Sequence, residues 1–401
     1  MKKFAKMSLV AAIAVAGTTA SAQPLAEAIK NVDVSGTVAY RYNDYEEKNI
    51  NDDSESTNNY KIAVNLKSKV NDDVTANTRF IIGAAGGDAA SLRNHGTDTA
   101  AGNGDQNVDV TLSEVNFTYT GLANTSITVG KQGLATPFTL HRDAMGNEQT
   151  GTGILAQTNF GPLTLAGAYF NQTNLGVEVG ELSTDLDLDN NKVSDISGDE
   201  NVVTAGAILN IAGITADAWY IDVQDILDAY TIGLAASYDV ADVKLAPYAR
   251  YTALELNGTS EDNKLWKLGM RAQMGIFGAH IGYGETDEEG GLSALDYSAA
   301  TGYDEHWRVT LTGISDASVL YASVNAQVTP KINLSVNYSD LDADSESNST
   351  DQNEIYGQVK YDMSKNFYTF VRLGLFEKDD VNAANDDIDS TIGRVHVQYS
   401  F

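Results

Sequence analysis

Reactive chemistry is scarce in this sequence. There are no cysteines, which removes thiol nucleophiles, disulfides and thiolate metal sites. The histidines are His95, His141, His280, His306 and His396. A hydrolytic site needs a histidine with an adjacent acid or a serine partner; His280 has no such local signature, and the sequence indicates no enzyme. Acidic runs such as Asp185-Leu186-Asp187-Leu188-Asp189 and Asp340 to Glu346 lack the loop pattern with Gly at the sixth position and Glu at the twelfth, so they read as solvated loops. Glu255-Leu256-Asn257-Gly258-Thr259 and Glu346-Ser347-Asn348-Ser349-Thr350 resemble a bacterial N-glycan acceptor pattern, which chance explains about as well in an Asn-rich chain.

What remains is fixed charge at regular spacing. Arg41, Lys61, Lys67, Arg79, Arg250, Lys267, Arg271, Arg372 and Arg394 occupy the polar positions of alternating segments, as do Asp33, Asp217 and Glu354. One further stretch combines apolar anchors (Leu134, Phe138, Leu140, Met145) with His141, Arg142, Asp143 and Glu148. A loop so built suits folding into a lumen, where Asp143 and Glu148 would face a basic wall and create a transverse field. Residues 132–151 are therefore the expected constriction loop.

The elements that position these charges show period-2 alternation in runs of about ten residues, the signature of transmembrane strands. Val34, Val38, Tyr40 and Tyr42 alternate with Ser35, Thr37 and Arg41; Trp266, Leu268 and Met270 alternate with Lys267 and Arg271. Strands are expected near 32–42, 60–69, 74–84, 108–120, 126–131, 152–160, 163–171, 202–211, 214–223, 230–240, 243–254, 264–274, 276–284, 318–328, 332–340, 354–361, 367–377 and 391–401. In the fourth the apolar face shifts phase at Ser113-Glu114, which predicts a β-bulge. Glu305 to Leu311 would make the count odd, against the even rule for single-chain bacterial barrels, and is assigned to an external loop.

Alternation alone does not separate a lipid-facing barrel from a soluble sandwich. Connections do. Short turns such as Gly161-Pro162, Ala212-Gly213 and Thr329-Pro330-Lys331 alternate with long acidic segments, including Ile50 to Asn59, Ala85 to Asn107, Gln172 to Asn201, Glu285 to Asp304, Asp340 to Asn353 and Lys378 to Ser390. Aromatics near strand ends, among them Tyr60, Phe160, Tyr169, Tyr238 and Tyr338, suit interfacial girdles. The chain ends on Val395, Val397, Tyr399 and Phe401, with Tyr399 and Phe401 placed as a barrel-assembly signal. Polar faces then point inward, because a Lys or Arg facing lipid at mid-depth costs about 2–4 kcal/mol.

The start reads as an export signal: Lys2, Lys3 and Lys6, an apolar run from Met7 to Gly17, and Ala20-Ser21-Ala22 before the cut. That gives a signal peptide at 1–22 and one barrel domain at 23–401. Without the three signal lysines, 23 basic residues face 55 acids, a net charge of −32. So acidic a chain repels nucleic acid.

The mature start, Pro24-Leu25-Ala26-Glu27-Ala28-Ile29-Lys30-Asn31-Val32-Asp33-Val34-Ser35-Gly36, resembles that of the Campylobacter-type major outer membrane proteins. So do Gly130-Lys131-Gln132, Thr136-Pro137-Phe138-Thr139, Gly151-Thr152-Gly153 and Tyr399-Ser400-Phe401. The resemblance implies an eighteen-stranded, trimeric general porin, usually cation-preferring and sometimes binding calcium near the constriction. No calcium ligand carries over residue by residue.

The expected fold is an all-β transmembrane antiparallel barrel of about 18 strands, with short periplasmic and long extracellular connections. The expected function is a passive, mildly cation-selective channel for small hydrophilic solutes and ions. It would sit as a homotrimer in outer-membrane lipid and lipopolysaccharide. The alternative is a structural barrel or adhesin whose acidic loops bind host or neighbouring molecules.

Overall fold

The computed structural model describes residues 32–47, 54–83, 89–91, 109–175, 196–258, 262–303, 305–344, 350–380 and 388–401. Residues 1–31, with the expected signal segment at 1–22, and most of two acidic stretches, 92–108 and 176–195, lie outside the described residues.

Eighteen strands run β1 Val32–Glu47, β2 Ser54–Lys69, β3 Val74–Gly83, β4 Asp109–Leu122, β5 Thr125–Gly133, β6 Thr150–Phe160, β7 Leu163–Thr173, β8 Val202–Ile211 and β9 Ile214–Val223. They continue as β10 Leu227–Ala236 (resumed at Tyr238–Val240), β11 Val243–Leu256, β12 Asp262–Met274, β13 Phe277–Thr286, β14 Ala317–Thr329, β15 Ile332–Ala343, β16 Thr350–Ser364, β17 Phe367–Asp380 and β18 Ile388–Ser400. Neighbours in sequence pair antiparallel. β1 also pairs with β18, from Thr37 opposite Ser400 to Glu47 opposite Ser390. The sheet is thus a closed barrel with no free edge, the form in which strands satisfy their backbone in a membrane. Ala90–Ser91 adds a short rung to β2 beside Tyr60 and Asn59.

The expected bulge is present. Arg79 faces Glu114 while the next residue, Phe80, faces Leu112, which leaves Ser113 as the extra residue. The bulge keeps Leu112 and Val115 on the outer face and turns Glu114 inward beside Arg79. Tight turns reverse the chain at one end; in Ala212-Gly213 both residues have positive φ, 49° and 82°, as a two-residue hairpin matching strand twist requires.

The strands reach further at the loop end than alternation indicated. Ser54–Asn59, expected in a loop, pairs with Glu46–Arg41, and Thr350–Asn353 pairs with Asp380–Glu377. Ser54–Asn59 and Thr350–Asn353 hold no apolar side chain, so backbone pairing extends them with no alternation for the sequence to show.

Val34, Leu268, Val324 and Leu373 are exposed on the outer face. Tyr220 opposite Tyr230, and Tyr251 opposite Trp266, border this belt toward the loop end. Phe160, Tyr238 and Phe277 border it beside the turns. Apolar side chains also pack inside. Leu134, Phe138, Leu292 and Leu295 from two connections bury against Phe170, Ile221, Leu227 and Leu254. Tyr303, Val309 and Leu311 bury against Leu265, Val319, Leu341 and Ile392. Folded loops thus fill part of the barrel interior.

Candidate functional site

The 134–149 connection turns into the barrel and is held there by buried charge. Arg79 donates to Glu148 through both Nε (2.7 Å) and Nη2 (2.6 Å). Lys61 Nζ lies 3.1 Å from Glu148 and also donates to the carbonyls of Asp143 and Gly146. Glu148 and Lys61 are each 1% exposed. Arg142 Nη1 lies 2.5 Å from Glu114 and 3.7 Å from Glu148, so the Ser113 bulge supplies one of the loop's anchors. Burial alone would push the Glu148 carboxyl up, but the Arg79 hydrogen bond and the charges of Lys61, Arg79 and Arg142 hold it below the usual range.

The 287–316 connection enters from the opposite wall. The backbone N–H groups of Trp307 and Arg308 donate to the two oxygens of Glu354, each at 2.7 Å. Arg271 Nη2 donates to Glu305 at 2.6 Å, and Lys267 Nζ donates to the Gly302 carbonyl. The two loops are joined directly: Leu295 N–H donates to Phe138 O (2.8 Å) and Thr301 N–H to Pro137 O (2.9 Å).

Beside this junction lies a polar cavity of about 450 Å³. Arg41, Arg372 and Arg394 line it from β1, β17 and β18, with Asn337, Tyr321, Tyr356 and Gln358; Asp143, Ala144, Ser298, Glu305, His306 and Trp307 line it from the loops. Aromatic faces position the arginines. The Arg372 guanidinium lies 5.2 Å from the Tyr356 ring centre and 5.7 Å from Trp307, and Arg394 lies 5.2 Å from Trp307. Asp143 Oδ1 accepts from the N–H groups of Met145 and Gly146, which fixes the loop tip.

The charged residues singled out from the sequence thus divide into sets. Arg41, Asp143, Arg372 and Arg394 meet at the cavity. Lys61, Arg79, Arg142 and Glu148 clamp the first loop, while Lys267 and Arg271 clamp the second. Glu148 is buried inside an ion cluster, against the bases of the barrel wall. Arg250 is elsewhere, bound bidentately to Asp217 at 2.8 and 2.9 Å. His141 is exposed beside Arg142 and is not among the cavity's lining residues. Tyr399 and Phe401 stack at 5.9 Å on the closing seam, away from this site.

Sequence reasoning missed Glu305, His306 and Trp307. Their stretch does alternate, with Trp307, Val309 and Leu311 on one side, but it packs against the wall without joining the ladder. Among the described residues no three His, Asp or Glu side chains are grouped to hold a metal ion.

Residues 1–399 match the family described as Campylobacter major outer membrane protein. No curated protein matches. Among solved structures, Acinetobacter baumannii OccAB3 is similar with a TM-score of 0.72 at 13% identity, over 93% of this chain and 99% of that one. Pseudomonas aeruginosa OccK5 (OpdH) gives 0.68 at 14%, over 93% and 98%. A BenF-like porin from Pseudomonas fluorescens Pf-5 gives 0.68 at 14%, over 93% and 99%. At these identities the likeness concerns the barrel fold.

Proposed function

Because the chain belongs to the Campylobacter major outer membrane protein family, an outer-membrane porin family, we propose that it is a passive channel for small hydrophilic solutes and ions. The observation that carries this reading is the polar, charge-lined cavity held by two inward loops within a closed barrel. The pore-lining set is Arg41, Asp143, Arg372 and Arg394, with Arg79, Arg142, Glu148, Lys267 and Arg271 shaping the constriction by holding its loops. Arg250 and His141 line the wider lumen.

The net charge of −32 left without the three signal lysines concentrates cations at the mouth, so conduction is mildly cation-preferring. The barrel works as a homotrimer in lipid and lipopolysaccharide after export directed by residues 1–22. The decisive experiment is conductance of purified protein in planar bilayers. Stepwise current in KCl is expected; a folded barrel that passes none overturns the reading and favours a purely structural or adhesive role.

A further inference from the structure

The cavity holds three guanidinium groups that have found no carboxylate. Arg41 Nε donates to His396 Nδ1, Arg372 Nε to Gln358 Oε1 and Arg394 Nε to Asn43 Oδ1. Among the described residues none of the three forms an ion pair. Elsewhere inside the barrel the pattern differs: Lys61, Arg79, Arg142, Arg250 and Arg271 each have a carboxylate within 4 Å. Like charges gathered with no carboxylate in contact cost free energy, and here their neutral partners and the Trp307 and Tyr356 rings hold them in place regardless. Asp143 and Glu305 line the same cavity. Asp143 spends Oδ1 on the turn, and Oδ2 has no hydrogen bond among the described residues.

We propose that this cavity is a preformed binding site for small zwitterions, free amino acids and short peptides, whose carboxylate sits on Arg41, Arg372 and Arg394 and whose ammonium group faces Asp143. The inference rests on the channel reading above. An inorganic cation meets three fixed positive charges here, and a simple anion meets Asp143 and Glu305. A molecule with both charges satisfies both walls at once. Planar guanidinium groups suit a carboxylate, and their fixed placement lowers the ordering cost of binding. The volume falls within the roughly 300–1,000 Å³ usual for small-molecule sites. A site on a conduction path must also release its occupant, and water in the open cavity keeps the binding weak.

The test is current through the full-length protein in planar bilayers, with glycylglycine as probe against propionate, ethylammonium and glycerol at equal concentration. Glycylglycine should interrupt the current in proportion to its concentration, and the other three should do so far less. Arg372→Gln with Arg394→Gln should weaken that block about tenfold or more, the order expected when charge-assisted contacts are lost. Asp143→Asn keeps an oxygen for the Met145 and Gly146 turn, so it preserves the loop and should also weaken the glycylglycine block. Glycylglycine acting no differently from glycerol overturns the proposal, as does a block unchanged by Asp143→Asn. Absence of any current would overturn the channel reading as well, which separates the two failures.

Discussion

Gly36 and Phe401 exchange two backbone hydrogen bonds, Gly36 N–H to Phe401 O at 2.9 Å and Phe401 N–H to Gly36 O at 3.0 Å. They complete the seam at which the last strand returns to the first. The Phe401 ring lies over the glycine: a Cβ there would stand 2.7 Å from the ring's Cζ and would also meet the Ala63 carbonyl oxygen. Gly36→Val should therefore overpack the seam, at a cost of about 1–3 kcal/mol. Phe401→Asp should remove the ring and set a charge beside the lipid belt. Both should lower the temperature at which the barrel loses its compact gel mobility, and both should reduce its level in the outer membrane. Wild-type behaviour of Phe401→Asp would deny the seam this role in assembly.

A second prediction concerns the first loop. Glu148→Gln would leave Lys61 and Arg79 buried without their counter-charge, a change of about 3–5 kcal/mol where one partner of a buried pair is removed. The clamp should open while the barrel persists. Expected readouts are noisier open-channel current and faster proteolysis after Arg142. The pH sign follows from the depressed Glu148 carboxyl. Its contribution is complete above the ordinary glutamate range and is lost only as pH falls through the lower folded value. Wild-type protein should thus keep the first loop clamped, with Arg142 protected from proteolysis, at neutral pH and in mild acid, and release it only in strong acid.

The fold was legible because lipid imposes a rule on every strand: one face apolar, the other not. That rule located all eighteen strands, and the phase break at Ser113 located the bulge. It was silent where lipid is absent. Ser54–Asn59 extends β2 through backbone pairing alone, and nothing in its composition separates it from a loop. The site was half legible. Arg41, Arg372 and Arg394 follow from parity, and Asp143 from its setting among apolar anchors. Parity could not say which bases are already neutralised, because Arg250 and Arg372 look alike along the chain while only the fold brings Asp217 to one of them. Nor could it place Trp307, which depends on Glu354 capturing two backbone N–H groups from a distant connection.

The second loop should respond to mild acid. His306 is buried, with Nδ1 2.7 Å from Ser339 Oγ. Burial, with the Lys267 charge behind it, pushes its imidazole down to about 3. A base whose folded value is lowered stabilises the docked state above its unfolded value, near 6.5, and loses that contribution as pH falls from there toward the folded value. Docking should therefore weaken progressively below about pH 6.5. Trp307 is one of three tryptophans, so with Trp219→Phe and Trp266→Phe its fluorescence reports the loop alone. The emission should shift to the red as pH falls, and His306→Gln should flatten the response. A titration unchanged by His306→Gln would place the acid sensitivity in another group.

Selectivity sets two fields in opposition. The acidic loop end draws cations in, while Arg41, Arg372 and Arg394 resist them at the cavity. Charges at the mouth act across solvent and are screened beyond a Debye length, about 10 Å at 0.1 M salt and about 3 Å at 1 M. The arginines act at contact distance, where added salt intervenes less. A mild cation preference at low salt should therefore shrink as salt rises. Removing the inner positive charge should increase it, so Arg372→Gln should shift the zero-current potential in a KCl gradient further toward cations. Asp143→Asn should shift it the opposite way, since that acid stands on the cavity wall. Glu148→Gln should do so less, because its charge is already matched by Lys61, Arg79 and Arg142. A zero-current potential of the anion-selective sign in the wild type at low salt would show that the inner arginines, and not the acidic mouth, govern conduction.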